Sequence, residues 1–187
     1  MGDGKVLQRT SRNVLPQTEV AVSVTPAPFI FGATLMLGVW LDNQAWIGLV
    51  GSIPRPIRAA VALGLIGLGV WLLAQAISSF RRADTPFVPY APTRALVVGS
   101  IFSKSRNPMY QAMALLTAGL GMLLRSDWTL LLLIPAALIV HYKLVKSEEH
   151  YLERKFGADY QRYKEQVPRY GWRLLSRRPA EDRALPR

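Results

Sequence analysis

Ile57-Arg-Ala-Ala-Val-Ala-Leu-Gly-Leu-Ile-Gly-Leu-Gly-Val-Trp-Leu-Leu-Ala-Gln-Ala-Ile-Ser-Ser-Phe80 is the stretch that decides the fold. No charge interrupts it between Arg58 and Arg81. A helix crosses a bilayer with roughly 20 mostly apolar residues, each rising about 1.5 Å, so this segment reads as a transmembrane helix. Three further stretches approach the same length. One runs from about Val20 to Leu41, where Asp42-Asn43-Gln44 is expected to end it at water. Pro26 and Pro28 lie near its start, where a missing amide donor and a fixed φ are tolerated. The others are about Tyr110 to Leu124, rich in Ala and Gly, and Trp128 to about Val145, which opens on an interfacial tryptophan and contains Pro135. Both are near the short limit, and a tilted helical hairpin is the alternative reading for them.

Composition points the same way. The chain has 187 residues, half of them hydrophobic, and its apolar residues come in runs instead of being spread at core-forming spacing. There is no cysteine, so disulfides, thiolate metal sites and cysteine nucleophiles are excluded. Two histidines, His141 and His150, are too few for most histidine-built metal centres, and no metal is expected. A net charge of +11 suits either nucleic acid or an anionic membrane surface. With long apolar runs present, the membrane is the simpler explanation and nucleic acid is not expected as a partner. Met1 to Glu19 lacks the short apolar core and cleavage site of a secretory signal and reads as a loosely ordered cytoplasmic leader. The expected fold class is therefore all-α and integral to the membrane, with about four transmembrane helices. Residues 20–170 form one membrane domain, and 171–187 a basic flexible tail.

Basic residues in short loops are retained in the cytoplasm and so set orientation. With four spans, one side of the membrane holds the leader, the loop from Arg81 to Pro108 and the tail. That loop carries Arg81, Arg82, Arg94, Lys104 and Arg106, against Arg55, Arg58 and Arg125 on the other side. Both termini are accordingly expected in the cytoplasm. The central loop and the tail then lie on one face, where residues from both can build a single site open to a charged cytosolic cofactor.

Two segments there carry chemistry. The first runs from Leu96 to Tyr110 and contains Gly99 and Ser105-Arg106-Asn107-Pro108. Gly99 permits a tight turn or close ligand approach. Pro108 suits the first turn of the third helix, where outward-pointing amides attract anions. Arg106 adds a planar, permanently charged donor fork suited to a carboxylate. A plainer reading has Arg106 holding the membrane boundary and Asn107 capping the helix. The second segment runs from His141 to Arg169. Val145, Leu152 and Phe156 fall near one helical face and Lys146, Glu149 and Glu153 near another, so the fourth span is expected to continue as an amphipathic interfacial helix. Gly157 is a natural stop, and Tyr160 and Tyr163 can share a face. Glu148-Glu149 stands out in a basic region, although a solvated pair offset by Lys146 and Arg154 remains open.

Taken together, Gly99, Ser105-Arg106-Asn107-Pro108-Met109-Tyr110, a hydrophobic hairpin, then Glu148-Glu149, Phe156-Gly157, Tyr160, Tyr163 and Val167-Pro168-Arg169 resemble the isoprenylcysteine carboxyl methyltransferase family, itself related to the phospholipid methyltransferases. Phe80-Arg-Arg-Ala-Asp-Thr85, Pro89 and Thr93 are similar to small bacterial members, so the resemblance covers about residues 78–170. The chain departs from the better-known members in having Arg106-Asn107-Pro108 where they carry Arg-His-Pro, and Asp84 where glycine is expected. Asparagine can donate and accept hydrogen bonds but cannot become cationic.

The resemblance implies a multi-span helical enzyme, placed in the bacterial inner membrane, with its active site in the cytoplasm. It implies S-adenosylmethionine as cofactor, entering from the cytosol. A lipid-like or prenylated acceptor (an isoprenylcysteine-type carboxylate, a phospholipid amine or a thiol) would arrive from the bilayer. By the same resemblance Arg106 and the amides around Asn107 would hold the cofactor's carboxylate, with Pro108 and the backbone near Gly99 also against the cofactor. Tyr110 would line the pocket, and Glu148 or Glu149 would pair with the cofactor's ammonium or a cationic pocket residue. Tyr160, Tyr163 and Arg169 would close the cytosolic side. Arg106, Tyr110 and Glu148 are the expected catalytic set. Two competing readings are a nicotinamide-dependent membrane sterol reductase, whose hairpin is similar, and a non-catalytic membrane scaffold of the same fold. No Gly-x-Gly-x-x-Gly signature is present, which sets aside a soluble Rossmann-type enzyme.

Overall fold

A computed structural model describes residues 6–7, 27–83 and 96–171. Expectations that fall elsewhere, including Pro26, Asp84, Pro89, Thr93, Arg94 and the basic residues after Gly171, lie outside the described residues. The described part is mostly helical. Helix α1 (Ala27–Gln44) has Pro28 in its first turn. It runs past Leu41 instead of ending there, because Asp42 has a partner other than water: its carboxylate accepts from the Ser126 hydroxyl. Asn43 meanwhile bonds back to the Val39 carbonyl at 3.0 Å. A short helix α2 (Leu49–Ser52) leads into α3 (Arg55–Arg82), which opens with proline in its first turn. Helix α4 covers Pro108–Leu123 and α5 Asp127–Ile139, the latter capped by Ser126, whose hydroxyl accepts from the Thr129 amide at 3.1 Å.

Past α5 the chain does not stop. A π-helical segment (Val140–Val145) joins it to α6 (Lys146–Phe156), making one helix from Asp127 to Phe156. Gly157, at φ 53°, ends it as its position suggested, and α7 (Ala158–Gln166) follows. Two helices, Arg55–Arg82 and Asp127–Phe156, are long and apolar enough to cross a membrane. Their outward side chains are large and hydrophobic, among them Leu63, Val70, Trp71, Ile134 and Leu138. A surface of that kind has no favourable contact with water. Helix α4, with 16 residues, reaches only about 24 Å against a hydrocarbon core of about 30 Å.

Helix α4 sits at the centre, packed along α3 and also touching α1 and α5, while α1 packs on α5. Glycine makes the α3–α4 approach close. A Cβ added at Gly119 would stand 2.9 Å from the Ala62 carbonyl oxygen, and one at Gly69 would stand 3.0 Å from that of Ala112. The end of the bundle opposite the site is tied by Asp127, which is buried and accepts from the Gly48 and Val50 amides at 2.8 Å each.

At the other end the start of α1, the end of α3, the start of α4 and the second half of the Asp127–Phe156 helix converge. Three clusters fill that end. Phe31, Val140, Leu144 and Val145 form one, and Leu72, Ala76, Ile101, Phe102 and Ala112 a second. Leu96, Tyr160, Tyr163 and Val167 form the third, on which Leu152 and Phe156 pack. Val145 thus separates from Leu152 and Phe156, with which the sequence grouped it. The leader, expected to be loosely ordered throughout, contributes one short element: β1 (Val6–Leu7) pairs antiparallel with β2 (Leu96–Val97), Val6 opposite Val97. Backbone pairing of that kind satisfies polar groups that a free segment would leave to water.

Candidate active site

The site forms where the segment after β2 turns into α4 and meets α6 and the chain leaving α7. Gly99 is extended (φ −92°, ψ 174°), so it makes no glycine-requiring turn; the left-handed residue is its neighbour Ser100 at φ 55°. A 3₁₀ turn (Ser100–Ser103) then buries Ile101 and Phe102 and delivers Ser105-Arg106-Asn107 to the start of α4.

Arg106 is drawn inward, away from the exposed position a boundary residue would take. Its side chain is 9% exposed, and Nη1 lies 2.9 Å from Glu149 Oε1. That contact is Coulombic without hydrogen-bond alignment, and Arg106 Nε and Nη1 are buried with no hydrogen-bond partner among the described residues. A buried guanidinium with unused donors is costly, since each donor has lost water without a replacement.

Glu149, buried on α6, serves two arginines. Arg169 reaches it as a planar fork, Nε to Oε1 at 2.9 Å and Nη2 to Oε2 at 2.6 Å. That hydrogen bond to a carboxylate raises the Arg169 pKa above its ordinary value. A solvated Glu pair balanced by Lys146 and Arg154 is therefore not what forms. Glu148, one residue earlier and only partly buried, turns elsewhere and accepts from the Tyr110 hydroxyl at 3.0 Å. Consecutive helical residues diverge by about 100° around the axis, so one carboxylate faces the arginines and the other faces α4.

Asn107 occupies the cap position of α4 but its side chain does not cap it. Its Nδ2 instead donates to the Arg169 carbonyl at 3.1 Å. The Arg106 amide donates to the Pro168 carbonyl at 3.0 Å, and the Asn107 amide to Ser105 Oγ at 3.3 Å. Two amides expected to meet a cofactor carboxylate are thus engaged within the protein, and Pro108, which is buried, has no amide to give.

Tyr160 and Tyr163 do share a face of α7, with ring centroids 6.0 Å apart. Tyr163 donates to the Phe102 carbonyl at 2.6 Å, which pins α7 over the 3₁₀ turn. Burial, reinforced by Glu149, pushes the Tyr160 phenol well above its usual range against an opposing Arg106. Burial pushes Tyr163 up as well. Both rings are neutral at physiological pH.

The structure thus brings Arg106, Asn107, Pro108, Tyr110, Glu148, Glu149, Tyr160, Tyr163 and Arg169 to one end of the bundle. Gly99 stands one 3₁₀ turn away. Three contributors carry no role in the sequence reading. Ser105 is almost fully buried and bonds Gln111 Oε1 at 2.5 Å. Tyr170 Oη lies 2.9 Å from His141 Nδ1. Ser105 directly precedes Arg106, which was the available signal; nothing local marks Gln111 or Tyr170.

A match to a family model decides what kind of protein carries this arrangement. The phospholipid methyltransferase model matches residues 57–159, more than half of the chain. The chain belongs to that family. The matched region runs from the third residue of α3 through α6 and includes Arg106, Tyr110, Glu148 and Glu149. Tyr160, Tyr163 and Arg169 follow it. The isoprenylcysteine carboxyl methyltransferases, which the motif resembles, belong to the same wider family. No curated protein and no solved structure matches the chain.

Proposed function

We propose that this chain is an integral membrane methyltransferase that uses S-adenosylmethionine to methylate a lipophilic acceptor arriving from the bilayer. The observation that carries this reading is Arg106: a nine-tenths buried guanidinium whose Nε and Nη1 make no hydrogen bond among the described residues, Nη1 having only its ion pair to a Glu149 carboxylate shared with Arg169. Two arginines share one glutamate, so the buried Arg106 guanidinium is only partly compensated by its nearest carboxylate. A bound carboxylate would neutralise it and satisfy the orphaned donors.

The residues present fit the cofactor on both of its charges. Arg106 would hold its carboxylate and Glu148, which makes no ion pair among the described residues, its ammonium. When bound, the cofactor supplies an electrophilic methyl group on a sulfonium. The protein's own part is to orient and to exclude water, since charge is dispersed in such an in-line displacement. Tyr110 fixes the Glu148 carboxylate, and Tyr160 and Tyr163 shield Arg106 from the aqueous side. A carboxylate acceptor needs no base, whereas an amine or thiol would have to lose a proton, for which a nearby glutamate is useful.

In this reading α1, α3, α4 and the Asp127–Phe156 helix make four spans, α6 and α7 lie at the cytoplasmic interface, and S-adenosylmethionine enters there. The test is transfer of labelled methyl from S-adenosylmethionine into the organic phase, using the full chain in vesicles of extracted bacterial membrane lipid. Label in lipid with wild type and its loss in Glu148→Ala support the proposal. Absence of label with folded protein across lipid, prenyl-thioether and isoprenoid-acid acceptors overturns it.

A further inference from the structure

The departure at position 107 coincides with a structural job that asparagine performs here. Asn107 is 7% exposed and sends Nδ2 to the Arg169 carbonyl, and Ser105 Oγ lies 3.4 Å from the same oxygen. The neighbouring Arg106 amide takes the Pro168 carbonyl. From that fixed point the Arg169 side chain turns back to Glu149, whose other neighbour is Arg106. The contacts close a ring from residue 106 through 107, the backbone of 168–169, the Arg169 fork and Glu149 back to Arg106. Tyr170 extends the attachment to His141 on the Asp127–Phe156 helix.

We propose that Asn107 is a positioning residue acting through Arg169. It clasps the chain leaving α7 onto the start of α4, so that Arg169 shares the Glu149 carboxylate and Arg106 keeps Nε free to receive an anion. The proposal rests on the methyltransferase reading for the identity of that anion, but not for the clasp. Without it, the segment after Val167 would lose one of its three hydrogen bonds to the 105–107 loop, the one that holds the Arg169 carbonyl most closely, and the bidentate fork would hang on a looser chain. Glu149 would then fall to Arg106 alone, whose unused donors would be occupied before any ligand arrived. An N–H donor aimed at the Arg169 carbonyl is what the clasp requires of position 107. Asparagine at this position is therefore a working part of the site, and not the mark of a chain that has lost its chemistry.

Two readouts test this. The first needs no cofactor: residue-resolved amide exchange of the full chain in detergent. Asn107→Asp keeps the size but replaces the donor with an acceptor facing a carbonyl. It is expected to speed exchange of the Arg106 amide at least ~10-fold while the amides of α3 and α5 keep their protection. Asn107→His, which retains an N–H donor, is expected to restore protection to within about threefold of wild type. Unchanged Arg106 exchange in Asn107→Asp, or no rescue by Asn107→His, overturns the clasp.

The second readout is S-adenosylmethionine affinity in Asn107→Asp, Arg169→Ala and the double variant. A residue that acts through Arg169 adds nothing once Arg169 is gone, so the double variant should match Arg169→Ala within about twofold. Independent, multiplying losses would make Asn107 a direct ligand and overturn the proposal. If wild type binds no S-adenosylmethionine but the exchange result holds, the cofactor assignment falls and the clasp stands.

Discussion

Arg169 grips Glu149 through two parallel hydrogen bonds, of 2.9 and 2.6 Å, and so joins the chain leaving α7 to α6 across twenty residues. Glu149 also faces Arg106, and its replacement by Gln should leave a buried guanidinium without its counter-charge. Loss of one partner from a buried pair costs about 3–5 kcal/mol. Because the Arg169 side chain is one-third exposed, the expected loss is smaller, about 2 kcal/mol. Thermal unfolding in detergent checks this, and a change below about 0.5 kcal/mol would show that the carboxylate is not holding the arginines.

The pair Tyr110–Glu148 makes a separable prediction. Tyr110→Phe removes a hydroxyl and leaves the ring, so the fold should lose only about 1 kcal/mol. The proposed function assigns Glu148 to the cofactor's ammonium, with Tyr110 fixing it. S-adenosylmethionine binding should therefore weaken by roughly 5- to 20-fold in Tyr110→Phe, from loss of orientation at a charged hydrogen bond. Equilibrium binding to the detergent-purified variant measures it, with unfolding followed in parallel.

Helix α3 meets α4 at glycine, and the geometry separates two kinds of glycine on these helices. A Cβ at Gly119 would press on the Ala62 backbone oxygen and on Ile66, whereas one at Gly64 would meet nothing within 4 Å. Gly119→Ala should destabilise by about 1–3 kcal/mol through overpacking. Gly64→Ala should be neutral or stabilise by about 0.5–1 kcal/mol. Unfolding midpoints of the two variants are the check, and equal effects would contradict the α3–α4 contact.

Asp127 provides a control remote from the site. It accepts both the Gly48 and Val50 amides from a buried position at the opposite end of the bundle. Asp127→Ala should cost about 2–3 kcal/mol by leaving two donors unpaired. Cofactor affinity of the folded fraction should be unchanged. A large loss of affinity would mean that the two ends of the bundle are coupled.

The helices were legible because bilayer-length apolar runs admit few other structures, and Gly157 and Pro108 mark their boundaries plainly. Asp42 misled at the end of α1, since its partner Ser126 is remote in sequence and supplies what water was expected to supply. Arg106 was legible as a candidate from its place before a helical proline, and the structure does bring it inward beside Glu149. Which glutamate it would face was not. Glu148 and Glu149 are adjacent, and their phase depends on the π-helical Val140–Val145 segment, whose extra residue per turn changes the facing of everything after it. No local pattern announces such a segment. Asn107 misled for a similar reason, because an asparagine before a helical proline looks like a cap, and only the return of Arg169 to α4 reveals its actual acceptor.

The most direct test of the account is calorimetric binding of S-adenosylmethionine to detergent-purified wild-type protein and to Arg106→Ala. The account predicts saturable binding to wild type, weakened at least ~10-fold by Arg106→Ala, the loss of about 1.4 kcal/mol or more expected for a buried charged hydrogen bond. Well-folded wild-type protein that binds no S-adenosylmethionine, or binds reduced nicotinamide in its place, would contradict it.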